Sequence, residues 1–437
     1  MKKINILKFV KSITCLLAIV LFNLPTFAAL NINNNNFFKI PTELKVTFHP
    51  SSYENFISQE GPLAGNSSGP PLINHNEKIL NSFSCNHAIT SDQAVNFTNM
   101  SFTLTNIVPS AVDTGDFNND GYSDLTVLGS DSEKFLTVIY GSPDGSFLNT
   151  KTLNTDFSHN KAYTYDLNND RLNDIVLLSE GNDAVSVILN LGNNDFLNPV
   201  HFQTGSDPVS LTFGDFTNDG VPDCLVVGGD NASLIKNPGT QSPSAINIPS
   251  TPVTLPADFF PNYVISLDFN NDGNLDLVIT DETKAITFSG NGKGGFTQTS
   301  TVSLNSEPLS IAVADLNKDS ILDLIIPVSD NNDSNKVAVA LGNNNGLFGI
   351  LQYFPVAGVP QDTVLGHFNG DCNLDIVTAN NDKDNFSILR GNGNGTFSPS
   401  IEFPLSSTPL ALKKGDLNND RENDLIFITA DGKIQSF

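Results

Sequence analysis

The stretch Asp116-Phe-Asn-Asn-Asp120-Gly-Tyr-Ser-Asp124 decides how this 437-residue chain is read, because its frame recurs from Asp166, Asp215, Asp268, Asp315, His367 and Asp416. The starts lie 47 to 53 residues apart. A Pro stands 7 positions ahead of each start (Pro109, Pro208, Pro261, Pro308, Pro360, Pro409), replaced once by His159. In six copies a Phe stands 19 positions ahead (Phe97, Phe147, Phe196, Phe296, Phe348, Phe397). A fixed period of this kind marks an architecture in which each copy is one supersecondary unit and neighbours bury a shared core.

From the Pro to the acidic turn the chain alternates, as in Pro308-Leu-Ser-Ile-Ala-Val-Ala. That pattern predicts a strand with Pro at its first position, where no ladder donor is lost. After the turn comes a run such as Asp424-Leu-Ile-Phe-Ile, apolar throughout, as a strand buried on both faces requires. A third strand (Val337-Ala-Val-Ala-Leu), a Gly/Asn turn (Gly391-Asn-Gly-Asn-Gly-Thr) and a fourth strand opening at the Phe complete the unit. Four short antiparallel strands per unit make a propeller blade, so the expected fold class is all-β, a seven-bladed β-propeller.

The ends of the repeat test this reading. The seventh unit stops at Phe437 after its third strand, whereas residues 97–106 have the Phe and spacing of a fourth strand with no unit ahead of them. This segment is expected to pair beside Lys433 to Phe437, completing the last blade and removing the free sheet edges. The alternative is an open stack of hairpins.

Each turn carries oxygen-bearing side chains at its positions 1, 3, 5 and 9. The sets are Asp116, Asn118, Asp120, Asp124; Asp166, Asn168, Asp170, Asp174; Asp215, Thr217, Asp219, Asp223; and Asp268, Asn270, Asp272, Asp276. They continue as Asp315, Asn317, Asp319, Asp323; His367, Asn369, Asp371, Asp375; and Asp416, Asn418, Asp420, Asp424. Hard oxygen donors at alternating positions, with the position-7 carbonyl, suit Ca2+, and up to seven such sites are expected. A helical EF-hand or dockerin loop would need a carboxylate at position 12, where this chain has Val127, Leu177, Val226, Ile279, Ile326, Thr378 and Phe427. A strand therefore leaves the turn. An Asx-rich turn without metal is the other alternative.

The copies differ. Gly121, Gly220 and Gly273 supply a left-handed position 6, whereas Arg171, Ser320, Cys372 and Arg421 stand there at a conformational cost. Thr217 is a weaker third donor, and the His367 turn lacks the first Asp, so it should hold a cation least well.

These features, the Asp-Phe-Asn-Asn-Asp-Gly-x-x-Asp-Leu turn and the Gly-Asn-Gly-x-Gly-x-Phe turn, resemble the VCBS and FG-GAP repeat family, which includes the integrin α-subunit propeller. The resemblance covers about residues 97–437. It implies a seven-bladed propeller with Ca2+ in the hairpin turns, found in secreted or surface proteins of adhesion and binding type. It does not imply a particular ligand, since the same repeats also decorate enzymes.

Residues 1–28 carry Lys2, Lys3, Lys8 and Lys11, the apolar run Ile13 to Phe22, and the small-residue site Thr26-Phe27-Ala28. This is the pattern of a secretory signal peptide, too short and too soon broken by Pro25 for a membrane anchor. Residues 29–95 are rich in Asn, Pro and Gly without sustained periodicity and read as a leader or linker. Residues 96–437 form the propeller. No later segment could span a bilayer, and lipid anchoring at Cys15 lacks the small residues that such a site needs.

The chain holds 22 Lys+Arg against 47 Asp+Glu, and losing residues 1–28 takes the formal charge from −25 to −29. Such a surface repels a phosphate backbone, which argues against a nucleic-acid partner. Cys85, Cys224 and Cys372 are too scattered for a disulfide scaffold or a zinc site. Cys224 reads as a small core residue, and a Cys85–Cys372 bridge stays open.

No catalytic motif stands out. The six His form no zinc-protease pair, no Gly-x-Ser-x-Gly elbow or phosphate loop occurs, and the carboxylates are committed to the turns. His201 reads as a surface residue on an outer strand. Trp is absent, so sugar stacking would fall to the 7 Tyr. The expectation is a secreted, monomeric, calcium-stabilised module that binds an extracellular protein or carbohydrate, at a surface, in the medium or in a periplasm. The face opposite the acidic turns, with the segments Gly129 to Lys134, Ser329 to Lys336, Asn380 to Asn385 and Pro249 to Pro261, is expected to meet the partner. The alternative is a hydrolytic or lyase enzyme acting on polysaccharide, for which a deep central pocket with convergent acids would speak.

Overall fold

Each repeat closes into one antiparallel sheet because its apolar runs are short, are separated by turns rich in Asp, Asn and Gly, and cannot bury both faces alone. The computed structural model describes residues 100–103, 109–129, 134–143, 146–240, 248–329, 335–343, 345–417 and 423–437. The signal peptide and leader of the sequence reading lie outside these residues, as does Cys85.

Seven blades follow one another around a ring. Blade 1 shows the plan, with β1 (Pro109–Gly115), β2 (Asp124–Gly129), β3 (Phe135–Gly141) and β4 (Phe147–Asn154) pairing in sequence. The second strand of every blade begins at the position-9 Asp of the acidic turn and is buried along nearly its whole length, as in Asp174–Ser179 and Asp375–Asn380. That is why these segments read as apolar without alternation.

The ring closes as the ends of the repeat require. Met100–Thr103 pairs antiparallel with Lys433–Ser436, in the register Met100 to Ser436 and Thr103 to Lys433, and completes blade 7. An open stack of hairpins is thereby excluded.

Core side chains lie between blades. Val112, Leu125 and Ile139 of blade 1 pack with Ala411, Ile426 and Ile434 of blade 7 across the closure. Position 2 of each acidic turn joins such a layer: Phe117 lies between blades 1 and 2, Leu167 between 2 and 3, and Phe216 between 3 and 4. The inner strands are tied directly as well. The Thr164 amide donates to Asp113 Oδ2 at 2.6 Å, the Leu412 amide to Asp362 Oδ2 at 3.1 Å, and Lys414 Nζ to the Leu365 carbonyl at 2.8 Å.

Three details depart from the sequence reading. The recurrent Phe opens the fourth strand at Phe147 and Phe296, but Phe348 and Phe397 make isolated bridges to Gly342 and Gly391, and their fourth strands begin at Gln352 and Ile401. The ring is better used elsewhere: Phe196, Phe296 and Phe348 pack tilted or edge-on against Phe117, Phe216 and Phe269, the position-2 residues of the preceding blade, at 6.2, 5.7 and 5.7 Å between centroids. The strand expected from Pro308 is interrupted, with Glu307–Pro308 and Ala312–Ala314 pairing separately with Asp323–Ser329. Finally, the segment Pro249 to Pro261 is not simply a loop. Ile248–Pro249 adds in parallel to the outer edge of blade 2 at Phe202–Gln203, and Thr251–Val253 is the fourth strand of blade 3.

Candidate functional site

The acidic turns repeat one hydrogen-bond pattern. In the first, Asp116 accepts the amides of Asp120 at 3.1 Å and Gly121 at 2.9 Å, Asn118 Oδ1 accepts the Asp120 amide at 3.0 Å, and Asp120 Oδ1 accepts the Tyr122 amide at 3.0 Å. The turns at Asp166, Asp268 and Asp315 do the same. Among the described turns position 6 is left-handed whichever residue fills it, with φ of 89° at Gly121, 72° at Arg171, 65° at Ser320 and 58° at Cys372.

Position 9 has a separate duty. Asp124, Asp174, Asp223, Asp323 and Asp375 are fully buried. One oxygen of each accepts the position-2 amide; the other accepts an amide at the end of the third strand, that of Gly141, Asn190, Asn237, Gly342 or Gly391, at 2.8 to 2.9 Å. Asp276 binds the Phe269 and Gly290 amides in the same way. Burial pushes the Asp124 and Asp174 carboxyls up to about 7, the amides oppose it, and the charges at positions 1 and 5 add to it. The position-9 side chain thus ties two neighbouring turns of a blade together, a role that the reading as a metal ligand did not include.

The unequal turns differ visibly. Thr217 turns its hydroxyl onto Asp223 Oδ2 at 3.1 Å. His367 has no carboxylate to offer the amides of positions 5 and 6; its Nδ1 donates to the Asn373 carbonyl at 2.9 Å. In the last turn Asn418, Asp420 and Arg421 lie outside the described residues, and the Leu417 amide donates to Asp424 Oδ2 at 2.9 Å.

Outside the His367 turn the donor set fits a hard cation in kind, since every side chain offered there is an oxygen donor and a carboxylate oxygen holding one amide keeps a second lone pair. The side chains at positions 1, 3 and 5 are turned onto the turn's own amides. Among the described residues no group of three His, Cys, Asp or Glu stands ready to hold a metal ion.

At the opposite end of the inner strands lies a cavity of about 300 Å3, lined by Asn160, Lys161, Glu180, Val209, Asn262, Tyr263, Glu307 and Pro308. Its walls come from blades 2 to 5. Asn160 Nδ2 donates to Glu180 Oε2 at 3.1 Å, and Lys161 Nζ donates to the Val209 carbonyl at 2.7 Å while standing 5.3 Å from the Tyr263 ring centre. Burial lowers the Lys161 ammonium, which the Asp362 carboxylate counteracts. Sequence reading missed this cavity, because its residues are 148 positions apart at the extremes and meet only once the ring forms.

Two cysteine and histidine readings are settled here. Cys224 is a free, fully buried core residue, as expected, and Cys372 is disulfide-bonded, with its partner outside the described residues. His201 is not a surface residue but 8% exposed. Its Nδ1 meets Ser186 Oγ at 2.8 Å, and Ser186 Oγ meets His159 Nε2 at 2.9 Å. His159, which replaces the repeat's Pro, makes an inward polar group available, and the outer strand folds over it. Since Ser186 is fully buried, the trio is a structural network and not a nucleophile with access to substrate.

Comparison with known proteins agrees with the fold. The FG-GAP-like repeat family matches residues 166–226, 268–326 and 367–427, each segment running from one acidic turn through the next. No curated protein matches the sequence. Among solved structures, virginiamycin B lyase from Staphylococcus aureus is 13% identical with a TM-score of 0.52, covering 78% of this chain and 99% of its own. BBS1N, solved in complex with ARL6DN, is 12% identical with a TM-score of 0.50, covering 77% and 94%. At such identities the likeness concerns the fold alone. No helix among the described residues is long and apolar enough to cross a membrane. With the repeated turns, the ring and the matching segments taken together, the chain is an FG-GAP repeat β-propeller protein.

Proposed function

We propose that the protein is an exported binding module in which Ca2+ at the acidic turns stiffens one face of the ring and an extracellular protein or carbohydrate meets the other. The observation that carries this is the contrast between the two ends of the inner strands. At one end, donors and acceptors are consumed by a pattern repeated from turn to turn. At the other, the cavity and the irregular segments present groups that differ from blade to blade, and variation on a rigid scaffold is how loops acquire recognition. Export rests on the pattern of residues 1–28.

The test is capture of extracellular proteins and binding to glycan arrays by purified protein in Ca2+, with a variant carrying Phe260→Ala and a Gly-Ser linker in place of residues 330–334. These changes avoid Asn335, which is buried and bonded to Ser329, and the strand Thr251–Val253. Loss of binding in the variant supports the reading; undiminished binding sinks it.

One observation favours the second reading, an enzyme acting on polysaccharide: Glu180 and Glu307 share one cavity. Reducing ends released from a polysaccharide, and lost in Glu307→Gln, would establish it.

A further inference from the structure

We propose that the cavity at the end of the inner strands is a saccharide site for one neutral hexosyl unit, walled by Tyr263, with Asn262, Glu307 and the Asn160–Glu180 pair as partners for its hydroxyls and the exposed Phe260, two residues before Asn262, as an apolar platform beside it. This rests on reading that face as the recognition surface and goes further by naming the ligand's chemistry.

Size sets the first limit. About 300 Å3 lies at the lower end of ligand pockets, which suits a single ring and not a folded peptide segment. Charge sets the second. Two carboxylates oppose a bare anion and the Lys161 ammonium opposes a bare cation, so the ligand should be neutral yet strongly hydrogen-bonding. Hydroxyl groups both donate and accept, and the cavity offers both capacities: carboxylate oxygens accept, the ammonium donates and the amides do both.

Open valence is the third observation. Among the described residues the Asn262 amide, the Glu307 carboxylate and the Tyr263 hydroxyl make no side-chain hydrogen bond. By contrast, Glu180 is held by Asn160 and Lys161 by the Val209 carbonyl, so part of the wall is fixed before any ligand arrives. The fourth is Phe260, two residues ahead of Asn262 and 59% exposed, in a protein that buries nearly all its other described Phe rings at least in part. An aromatic face carries negative potential, which attracts the C–H face of a pyranose, while the ring's hydroxyls point outward to polar partners.

The experiment uses the full chain in Ca2+. Binding is measured by titration calorimetry and saturation-transfer NMR against methyl glycosides of neutral hexoses, with maltose, cellobiose and lactose. Galacturonic acid and glucosamine serve as charged controls. At least one neutral sugar is expected to bind, with the charged controls at least 10-fold weaker, and Glu307→Ala and Phe260→Ala are each expected to weaken binding 10-fold or more. Both side chains are exposed, so folding should survive; an unchanged unfolding midpoint confirms it. Absence of binding by every neutral sugar, or affinity unchanged in both variants, overturns the proposal. Should no sugar bind while a protein partner is captured through this face, the saccharide site falls and the recognition face stands. If neither binds, both fall. Cleavage of a bound neutral sugar would support the site and move the function to catalysis.

Discussion

Asp124 and Gly141, 17 residues apart, are joined by a 2.8 Å hydrogen bond from the Gly141 amide to a carboxylate oxygen with no solvent exposure. The other oxygen takes the Phe117 amide at the same distance. One side chain thus fixes the start of the second strand, the acidic turn before it and the end of the third strand. Its equivalents in blades 2 to 6 do the same, which explains why an Asp begins a strand that is otherwise apolar.

Removing such a side chain should be costly. Asp174→Ala leaves the buried amides of Leu167 and Asn190 without acceptors. Each buried donor left unpaired costs about 1–3 kcal/mol. Urea denaturation should show a loss of about 3 kcal/mol, and a loss below about 1 kcal/mol would mean that water or a neighbour replaces the carboxylate.

Chelation should lower the melting temperature. Ions that bind only the folded ring add stability by mass action, and crowded carboxylates repel without them. Elemental analysis should find calcium, and EDTA should shift the midpoint downward by several degrees. No calcium and an unmoved midpoint would show that the turns hold themselves by their amides alone.

Truncation should separate the leader from the ring. Deleting residues 1–95 leaves the closing strand Met100–Thr103 in place, whereas deleting residues 1–110 removes it. The first product loses the partner of the Cys372 disulfide and should still unfold cooperatively, at a somewhat lower midpoint, whereas the second should aggregate or melt far lower. A stable monomer from the longer deletion would demonstrate another closure.

Acid should weaken blade 2 through His159. Burial lowers this imidazole from 6.5 to about 4, so the fold holds the neutral ring. Below pH 6.5 the unfolded chain takes up a proton that the folded chain refuses, and stability falls until about pH 4. A shift of this size corresponds to about 3 kcal/mol at most. Since buried carboxyls also titrate in that window, the measurement is the difference between wild type and His159→Gln from pH 7.5 to 4.5. The wild-type advantage should shrink with falling pH; a constant difference would place the network's proton chemistry elsewhere.

Local pattern revealed what depends on local pattern. The seven turns, the buried second strands and the closing strand all follow from spacing within about one repeat, and the unpaired ends at Phe97 and Phe437 pointed to each other. The position-9 Asp was assigned to the metal because its oxygens were counted as ligands. The Gly or Asn recurring at the end of each third strand, Gly141, Asn190, Gly290, Gly342 and Gly391, was the signal that it has backbone partners. The Phe repeat was read as a strand start because its contact, the position-2 side chain of the blade before, is invisible within one unit. His159 registered only as a broken Pro rule; that its ring shares Ser186 with His201 depends on strand register. Nothing in spacing alone could bring Lys161, Tyr263 and Glu307 to one cavity, since that proximity is a property of the closed circle.

The pairing of Met100 with Ser436 also sets a timetable. The strand Met100–Thr103 is made long before its partner, which lies 336 positions later. Blades 1 to 6 hold all their own strands and can form as they are made, but the circle must wait for Lys433–Ser436. Contacts this distant are slow to find, because the entropy of bringing the ends together precedes any gain. The waiting ends are a bare edge on blade 7 and a lone strand, each able to pair with the wrong chain. Refolding at high concentration should therefore yield exchanged dimers in which each N-terminal strand closes the neighbour's ring.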